Sequence, residues 1–597
     1  MTLTGDDATL RQAIALHQSG RFAEAETLYR QILVRVPDHA DALHFLGVLA
    51  GQFNRHEAAV ELIRKALSIR PDDVEARFNL ATNLIPLGKI EEAIAEFNRV
   101  LEVQKDDPDA HLLIADLLRQ VSRKDEAVTH LRRTIALREQ NPDAYNNLGN
   151  LLQERGEVDE AILCFQRSLA LRPGNAQTLN NLGNARRQKG EYDAALGLLR
   201  QAVAAQPDSP QMRTNLGNVL CDVGEVESAI TEFRAALKDA PTYADAWNHL
   251  GIALRSVGEV EEALAAHRQA LSLRPDFDAA RYAEAWALLL LGRFDEGWRA
   301  YEARPRAASG WGRFPNSWKG EPLNGRRILL HAEQGFGDTI QFGRFASIVA
   351  ELGGHVILEC QQELISLLPG LAGIKDLVAR DDPLPPFDVH CPLMSIPLVL
   401  GTTETTIPSR FPYISPDPNL VAEWANRLKR HGPRPHVGLV WTGRATSSEE
   451  RRRSMRLKDF GPLAGLKGLT FHSLQVGPAG DQVNEPGVPR LIDHRSELHD
   501  FSDTAALIAN LDLVITVDTA VAHLAGAMGK DVWTMLQLAP DWRWMLDRED
   551  SPWYPTMRLF RQRQRAHWGD VVTRVTGELS RRYADPLRAS ATSTSPA

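Results

Sequence analysis

Residues 511–530 read LDLVITVDTAVAHLAGAMGK, and the rest of the chain is organised around them. Leu513, Val514, Ile515, Thr516 and Val517 form a short, β-branched apolar run of the kind that fills a buried parallel strand. Asp518 and Thr519 interrupt it with an N-cap signature, and residues 520–528 then predict a helix, with small side chains where it must lie close to a sheet. A strand that ends in Asp-Thr and turns at once into a helix aims free backbone N–H groups and the positive end of the helix dipole at one point. That is an anion site, usually for phosphate. Ala520 opens the helix, and His523 lies one turn further in on the same face as Thr519. The plainer reading is a strand–helix junction whose aspartate caps the helix.

The chain has 597 residues, enough for several domains with large cores. A net charge of −9 argues against a general binder of nucleic acid or anionic membranes, although basic islands occur at 451–456 and 561–565. The four cysteines, Cys164, Cys221, Cys360 and Cys391, are far apart and form no CxxC pair, so neither a disulfide framework nor a zinc site is expected. The opening MTLTGDDATLRQ is polar and acidic, and no run of about 18 apolar residues occurs. A cytoplasmic protein is expected, with no metal and no cofactor.

From residue 6 to about 304 the sequence repeats every 34 residues. Gly20, Asn54, Gly88, Ser122, Gly156, Gly190, Gly224, Gly258 and Gly292 mark one turn position. Gly47, Ala81, Ala115, Gly149, Gly183, Gly217, Gly251 and Ala285 mark a second small position. Each unit predicts two amphipathic helices split by a turn and closed by proline, with small residues where the pair touches. The register resembles a tetratricopeptide repeat array of about nine units, which implies a superhelix whose first helices line a concave face. On those helices Asn79, Asn147, Asn181 and Asn215 share one repeat position, and Asn150, Asn184 and Asn218 follow three residues on. Asparagine is a poor helix former, so its recurrence needs a reason. Carboxamides both donate and accept, which suits them to grip the backbone of an extended peptide whatever its sequence. The ladder resembles the asparagine ladder in the repeats of O-GlcNAc transferases. The alternative is that these side chains bond between helices of the array.

Residues 305–325, rich in Pro, Gly and Trp, predict a linker. Strands are then expected at 327–331, 356–359 and 387–390, with a helix over 340–352, giving a first α/β domain over about 326–425. The alternation restarts at 435–441, continues through 470–474 and reaches the opening strand, giving a second α/β domain over about 434–580. The tail from 584 to 597 predicts disorder. Two such domains in series place a ligand in the cleft between the carboxyl ends of both sheets. Gly335-Phe336-Gly337-Asp338 lacks the third glycine of a dinucleotide fingerprint, and instead puts a carboxylate at the first strand–helix turn.

The combination of RILLHAEQGFGDTIQF, VGLVWTGR, RRRSM, SLQ, DFSDTAALI and DLVITVDTAVAHLAGAMGK resembles the ADP-heptose:lipopolysaccharide heptosyltransferase family of GT-B glycosyltransferases. More closely, it resembles bacterial proteins in which such a module follows tetratricopeptide repeats. The resemblance implies an all-α repeat superhelix followed by a GT-B module of two Rossmann-like α/β domains. It implies Asp338 as the base that deprotonates an acceptor hydroxyl, Asp518, Thr519 and Ala520 as the donor-phosphate turn, and His523 as the family's histidine. The family's phosphate-binding lysine has Arg452 or Arg453 in its place. Ala520 replaces a glycine, and Leu538-Ala539-Pro540-Asp541-Trp542-Arg543-Trp544 stands where the family has Gly-Pro-Thr.

Glycosyl transfer from a nucleoside diphosphate builds negative charge on the leaving group, which a helix N-terminus and arginines stabilise without a metal. A carboxylate on the opposite wall takes the acceptor proton, giving inversion. Gly443, Gln475, Asp503 and Thr504 lie at predicted strand or helix ends near the site as further donor contacts, with capping the alternative for the last two. The run 451–456 reads as phosphate-binding or as a solvated loop, and Trp542, Trp544 and Trp553 as stacking surfaces or core. The expected function is an inverting, metal-independent glycosyltransferase acting on a protein held by the repeats. The alternatives are a scaffold with a non-catalytic nucleotide-sugar domain and a transferase acting on envelope glycans.

Overall fold

The computed structural model describes residues 5–305, 314–432, 434–443 and 452–583. Part of the segment read as a linker (306–313), Arg451 of the basic run and the tail from 584 lie outside the described residues. Contacts along the chain separate two compact units, Met1–Val219 and Leu220–Ala597. The described residues 5–301 form nine helix pairs, from Gly5–Gln18 with Phe22–Arg35 to Asp278–Leu290 with Phe294–Tyr301.

The repeat register works through two devices. All nine turn positions, from Gly20 (φ +79°) to Gly292 (φ +74°), take left-handed backbone, including the non-glycine residues Asn54 (φ +57°) and Ser122 (φ +61°). The second small position admits a large side chain from the partner helix. A Cβ at Gly47, Gly149 or Gly183 would lie 2.6–2.7 Å from Ile63, Phe165 or Leu199. Glycine there lets two helices approach at the distance their partner side chains need.

In the second unit the strands are β1 (Arg327–His331), β2 (His355–Cys360), β3 (Ile374–Ala379), β4 (Val389–Pro392), β5 (His436–Val440), β6 (Thr470–Ser473), β7 (Ile492–Asp493), β8 (Leu513–Val517), β9 (Val532–Leu536) and β10 (Met557–Arg561). They form two all-parallel sheets, in the orders β3-β2-β1-β4 and β10-β9-β8-β5-β6-β7. The opening stretch is thus an inner strand, and every residue of β8 is buried, as its unbroken apolar run requires. Two local expectations shift. The strand expected at 387–390 runs two residues later, over Val389–Pro392. The helix expected over 340–352 is two, Phe336–Gly343 and Ala346–Glu351. Arg344 sits between them, turned into the core, where it donates to the Trp553 carbonyl (2.7 Å) and the Tyr413 hydroxyl (2.9 Å).

The last helix pair belongs to the core of the sheets. Trp298 meets Trp542 edge-on at 5.2 Å and donates from Nε1 to the Thr402 carbonyl at 2.9 Å. Arg304, buried, pairs with Glu333 at 3.0 Å and Glu302 at 2.7 Å and donates to Ser395 Oγ. Ser366 Oγ donates to Asp500 Oδ2 at 2.6 Å, joining the segment after β2 to the helix Phe501–Ala509.

Candidate active site

The site grows from two strand–helix turns that face each other. β1 runs into Gly335 and the helix Phe336–Gly343, and β8 runs into Asp518 and the helix Ala520–Ala527. The two helices meet at Gly337, where a Cβ would lie 2.7 Å from His523 Cδ2. The second glycine of GFGD is therefore a packing glycine that lets the helix after β1 seat on the helix after β8. Neither Asp518 nor Thr519 caps the helix Ala520–Ala527 with its side chain; Thr519 Oγ1 bonds instead to Thr516 Oγ1 at 3.0 Å. The leading N–H groups of that helix therefore lack a side-chain acceptor, which is the condition for receiving an anion.

Asp338 occupies the third position of its helix, where Oδ2 accepts from the Gly335 N–H at 2.8 Å. Its Oδ1 is ion-paired with Arg543, from the loop after β9. Arg543 also donates to Asp541 Oδ1 (2.8 Å) and Gln341 Oε1 (2.7 Å), and its guanidinium lies 4.2 Å from the centroid of Trp542. Burial works against its charge, but Asp541 and Asp338 outweigh that and keep it a cation. Burial raises the Asp338 carboxyl, with Arg543 opposing. Burial, reinforced by Asp541, lifts Asp518 to about 6, with Arg453 opposing. Arg453 Nη1 stands 3.9 Å from Asp518 Oδ2, and Gly443 is open toward both Arg453 and Thr519. Three carboxylates and two guanidiniums thus come together beside the two turns. Of these, Arg543 and Asp541 are not marked by any sequence motif, although Arg543 is the single basic residue in the stretch that departs from the family pattern.

Other expected ligands are committed elsewhere. His523 Nδ1 bonds the Tyr554 hydroxyl at 2.8 Å and its ring stacks on Trp544 at 5.3 Å. Burial, then Arg543 and Arg344, holds it well below the ordinary histidine range. It is a neutral wedge between the two helices. Gln475 Oε1 accepts from the N–H groups of Trp441 and Thr442 (3.2 and 3.1 Å), shaping the loop that carries Gly443. Asp503 accepts from the His499 N–H (3.0 Å) and Trp424 Nε1 (3.4 Å), and Thr504 donates to the Asp500 carbonyl (3.1 Å). These bonds hold the start of their own helix, which is the capping alternative for these two residues. Trp542, Trp544 and Trp553 are fully buried and serve the core.

The asparagine ladder divides in two. Asn181 Nδ2 donates to Asn146 Oδ1 (3.1 Å), and Asn215 Nδ2 donates to Asn180 Oδ1 (2.8 Å). Asn79 Nδ2 contacts His44 Nε2 at 2.9 Å. Each partner lies 35 residues back, so these three bond between consecutive repeats, as the alternative reading of the ladder has it. Asn147, Asn150, Asn184 and Asn218 remain half-exposed on their helices.

Tetratricopeptide repeat profiles match residues 10–74, 50–117, 142–208, 180–244 and 214–276, and a TPR repeat profile matches 115–156. Glycosyltransferase family 9 (heptosyltransferase) matches residues 499–542, from the helix Phe501–Ala509 through β9 to Trp542. The chain is 32% identical over 329 residues to protein FlbA of Caulobacter vibrioides, covering 50% of this chain and 54% of the relative. It thus spans about half the length of the curated relative it matches. Among solved structures, it is similar to YrrB, described as a TPR protein with an unusual peptide-binding site (24% identity, 32% of this chain and 97% of that one, TM-score 0.27). It is also similar to MamA (22% identity, 29% and 94%, TM-score 0.28). No helix among the described residues is long and apolar enough to cross a membrane. The chain therefore carries tetratricopeptide repeats across its N-terminal half and, in its C-terminal region, a stretch belonging to the pattern of glycosyltransferase family 9.

Proposed function

We propose that the second unit transfers a sugar from a nucleoside diphosphate donor to an acceptor hydroxyl with inversion, and that the acceptor is a protein held by the repeats. The observation that carries this reading is the packing of the helix that bears Asp338 on the helix opened by the uncapped turn Asp518-Thr519-Ala520, Gly337 against His523. The turn would take the diphosphate on its N–H groups, with Thr519 and Gly443 leaving room and Arg453 supplying charge. Asp338, on the opposite wall, would accept the proton of the attacking hydroxyl. Fixed dipoles and guanidiniums stabilise the leaving diphosphate in place of a metal, so transfer is expected to persist in excess chelator. The half-exposed Asn147, Asn150, Asn184 and Asn218 would present carboxamides to an extended polypeptide.

One observation favours a second reading, a binding module without turnover: the ion pair to Arg543 occupies the carboxylate that must act as base. Nucleotide sugars screened by thermal shift, then assayed for hydrolysis and for transfer to cell lysate, separate the two. A ligand of the folded state raises its melting temperature. In an active enzyme, Asp338→Asn keeps donor binding and lowers turnover by about 10²–10⁴-fold. Donor binding with neither hydrolysis nor transfer in the wild type selects the scaffold.

A further inference from the structure

We propose that Arg543 is the cation that takes the donor's diphosphate, and that in the empty site the same guanidinium is latched to Asp338 and Asp541. The proposal rests on the reading that the turn at Asp518 receives a nucleoside diphosphate. The loop after β9 would then work as a latch on the catalytic base, released by the donor itself.

The geometry around Arg543 supports this assignment over Arg452 and Arg453. A guanidinium has five N–H donors. Three of those of Arg543 are spent on Gln341, Asp541 and Asp338, one through each nitrogen. Each Nη thus keeps one further N–H. A buried polar atom left without a partner beside it is a donor as well. Gln341 gives its Oε1 to Arg543, while its Nε2 is buried and unpaired. Trp544, the next residue along, turns its buried Nε1 toward the Asp518 carboxylate, so it marks the same spot without being counted among the donors that lack an acceptor. A buried, unpaired donor is rare without a reason, and what Gln341 lacks is an acceptor. A diphosphate offers acceptors only, in number, and pairs with arginine in a two-pronged geometry.

The loop is also built to place this side chain. Met545 (φ +53°) and Asp547 (φ +51°) take left-handed backbone without being glycine. Arg561 holds that shape by donating to the carbonyls of Trp544, Met545 and Arg548. Arg453 approaches Asp518 from the loop after β5. A diphosphate seated on the turn would then have one arginine from each loop.

Asp338 and the diphosphate compete for one guanidinium, and this has a consequence that a structural ion pair lacks. Removing the charge of Asp338 should strengthen diphosphate binding, because the arginine no longer has to be drawn off a carboxylate. The same competition keeps the base occupied until a donor arrives.

The test is calorimetry of the full chain with ADP, GDP, CDP, UDP and dTDP, on wild type, Arg543→Gln, Arg543→Lys, Asp338→Asn and Thr519→Trp. The expected result is that Arg543→Gln weakens the nucleotide bound by wild type about ten-fold or more, the worth of a charge-assisted bond, and that Arg543→Lys recovers part of it. Asp338→Asn should bind about three-fold or more tightly than wild type. A folded Arg543→Gln chain with wild-type affinity overturns the assignment of Arg543. Weaker binding by Asp338→Asn overturns the latch. If Arg543→Gln does not fold, Asp338→Asn decides alone. Thr519→Trp separates the underlying reading, since unchanged affinity there removes the turn as the diphosphate site. Loss in Thr519→Trp with no change in Arg543→Gln removes Arg543 only. Binding of none of the five nucleotides by the wild type overturns both.

Discussion

At the scale of single residues, the chemistry of the site is set by burial more than by residue type. Asp518 is an ordinary aspartate in sequence, yet burial and Asp541 lift it to about 6 in the folded chain. An unfolded aspartate titrates near about 3.9. Between those values the folded chain holds a proton that the unfolded chain has released, so this group's contribution to stability falls as pH rises through that window. Asp518→Asn should flatten the melting temperature between pH 4.5 and 6.5 relative to wild type, read by calorimetric scans. The same proton bears on the proposed ligand. A neutral Asp518 does not repel phosphate, so nucleoside diphosphate affinity is expected to rise as pH falls through about 6 and to lose that dependence in Asp518→Asn. A wild-type affinity independent of pH across this range refutes the placement of the diphosphate beside Asp518.

At the scale of elements, close approach and left-handed turns decide what the sequence must supply. Gly337 lies against a histidine ring confined by Trp544 and Tyr554, which cannot give way. Gly337→Ala is expected to destabilise the second unit by about 1–3 kcal/mol, the usual cost of overpacking. A smaller side chain at His523 in the same chain should recover part of that loss, which a double-mutant cycle in urea measures. The repeat turns give the opposite sign. Ser122 carries a Cβ at φ +61° where most repeats have glycine, so Ser122→Gly should stabilise its unit by up to about 1 kcal/mol. The ladder gives a third element-scale test. Asn150→Ala, Asn184→Ala and Asn218→Ala together should leave the array folded, since alanine is the better helix former. If these side chains hold the acceptor, transfer to protein falls by an order of magnitude or more, at roughly 0.5–1.5 kcal/mol per lost bond, while donor hydrolysis is unchanged. Equal transfer by mutant and wild type would leave the row without a peptide to hold. Asn181→Ala, by contrast, should lower stability, because it leaves Asn146 without its inter-repeat donor.

At the scale of the molecule, the last repeat shares the core of the two sheets. Trp298 and Tyr301 cover Trp542, one residue from Arg543, and the Tyr301 hydroxyl is within 3.3 Å of Gln334 at the first turn. A chain beginning at residue 207 keeps these contacts and should unfold cooperatively and bind the donor. A chain beginning at residue 314 loses Arg304 and leaves Glu333 buried without its partner, at a cost of about 3–5 kcal/mol. It also uncovers the Trp542 loop. It should be insoluble or lack a cooperative transition, as read by circular dichroism on heating. Wild-type melting in that shorter chain would show the last repeat to be dispensable.

What sequence alone determined was everything that depends on period and local conformation. The 34-residue register placed every turn, because only a left-handed residue ends one helix and starts the next so quickly, and Gly20 to Gly292 say so one by one. The unbroken run of β8 and the Asp-Thr that ends it located a strand–helix turn of the kind phosphate sites use, because a strand buried on both faces cannot carry polar residues until it stops. Asp338 was legible for the same reason. Tertiary structure decided the partners. Nothing near Asp338 in sequence announces Arg543, which arrives 205 residues later from the other sheet. The asparagines look alike in sequence, and only the packing of successive repeats brings Asn79, Asn181 and Asn215 onto partners one repeat back. His523 kept its place in the motif but became a neutral wedge, because burial between two helices costs an imidazolium its charge. Local patterns record which backbone a residue prefers; charge, pairing and exposure depend on neighbours that only folding brings together.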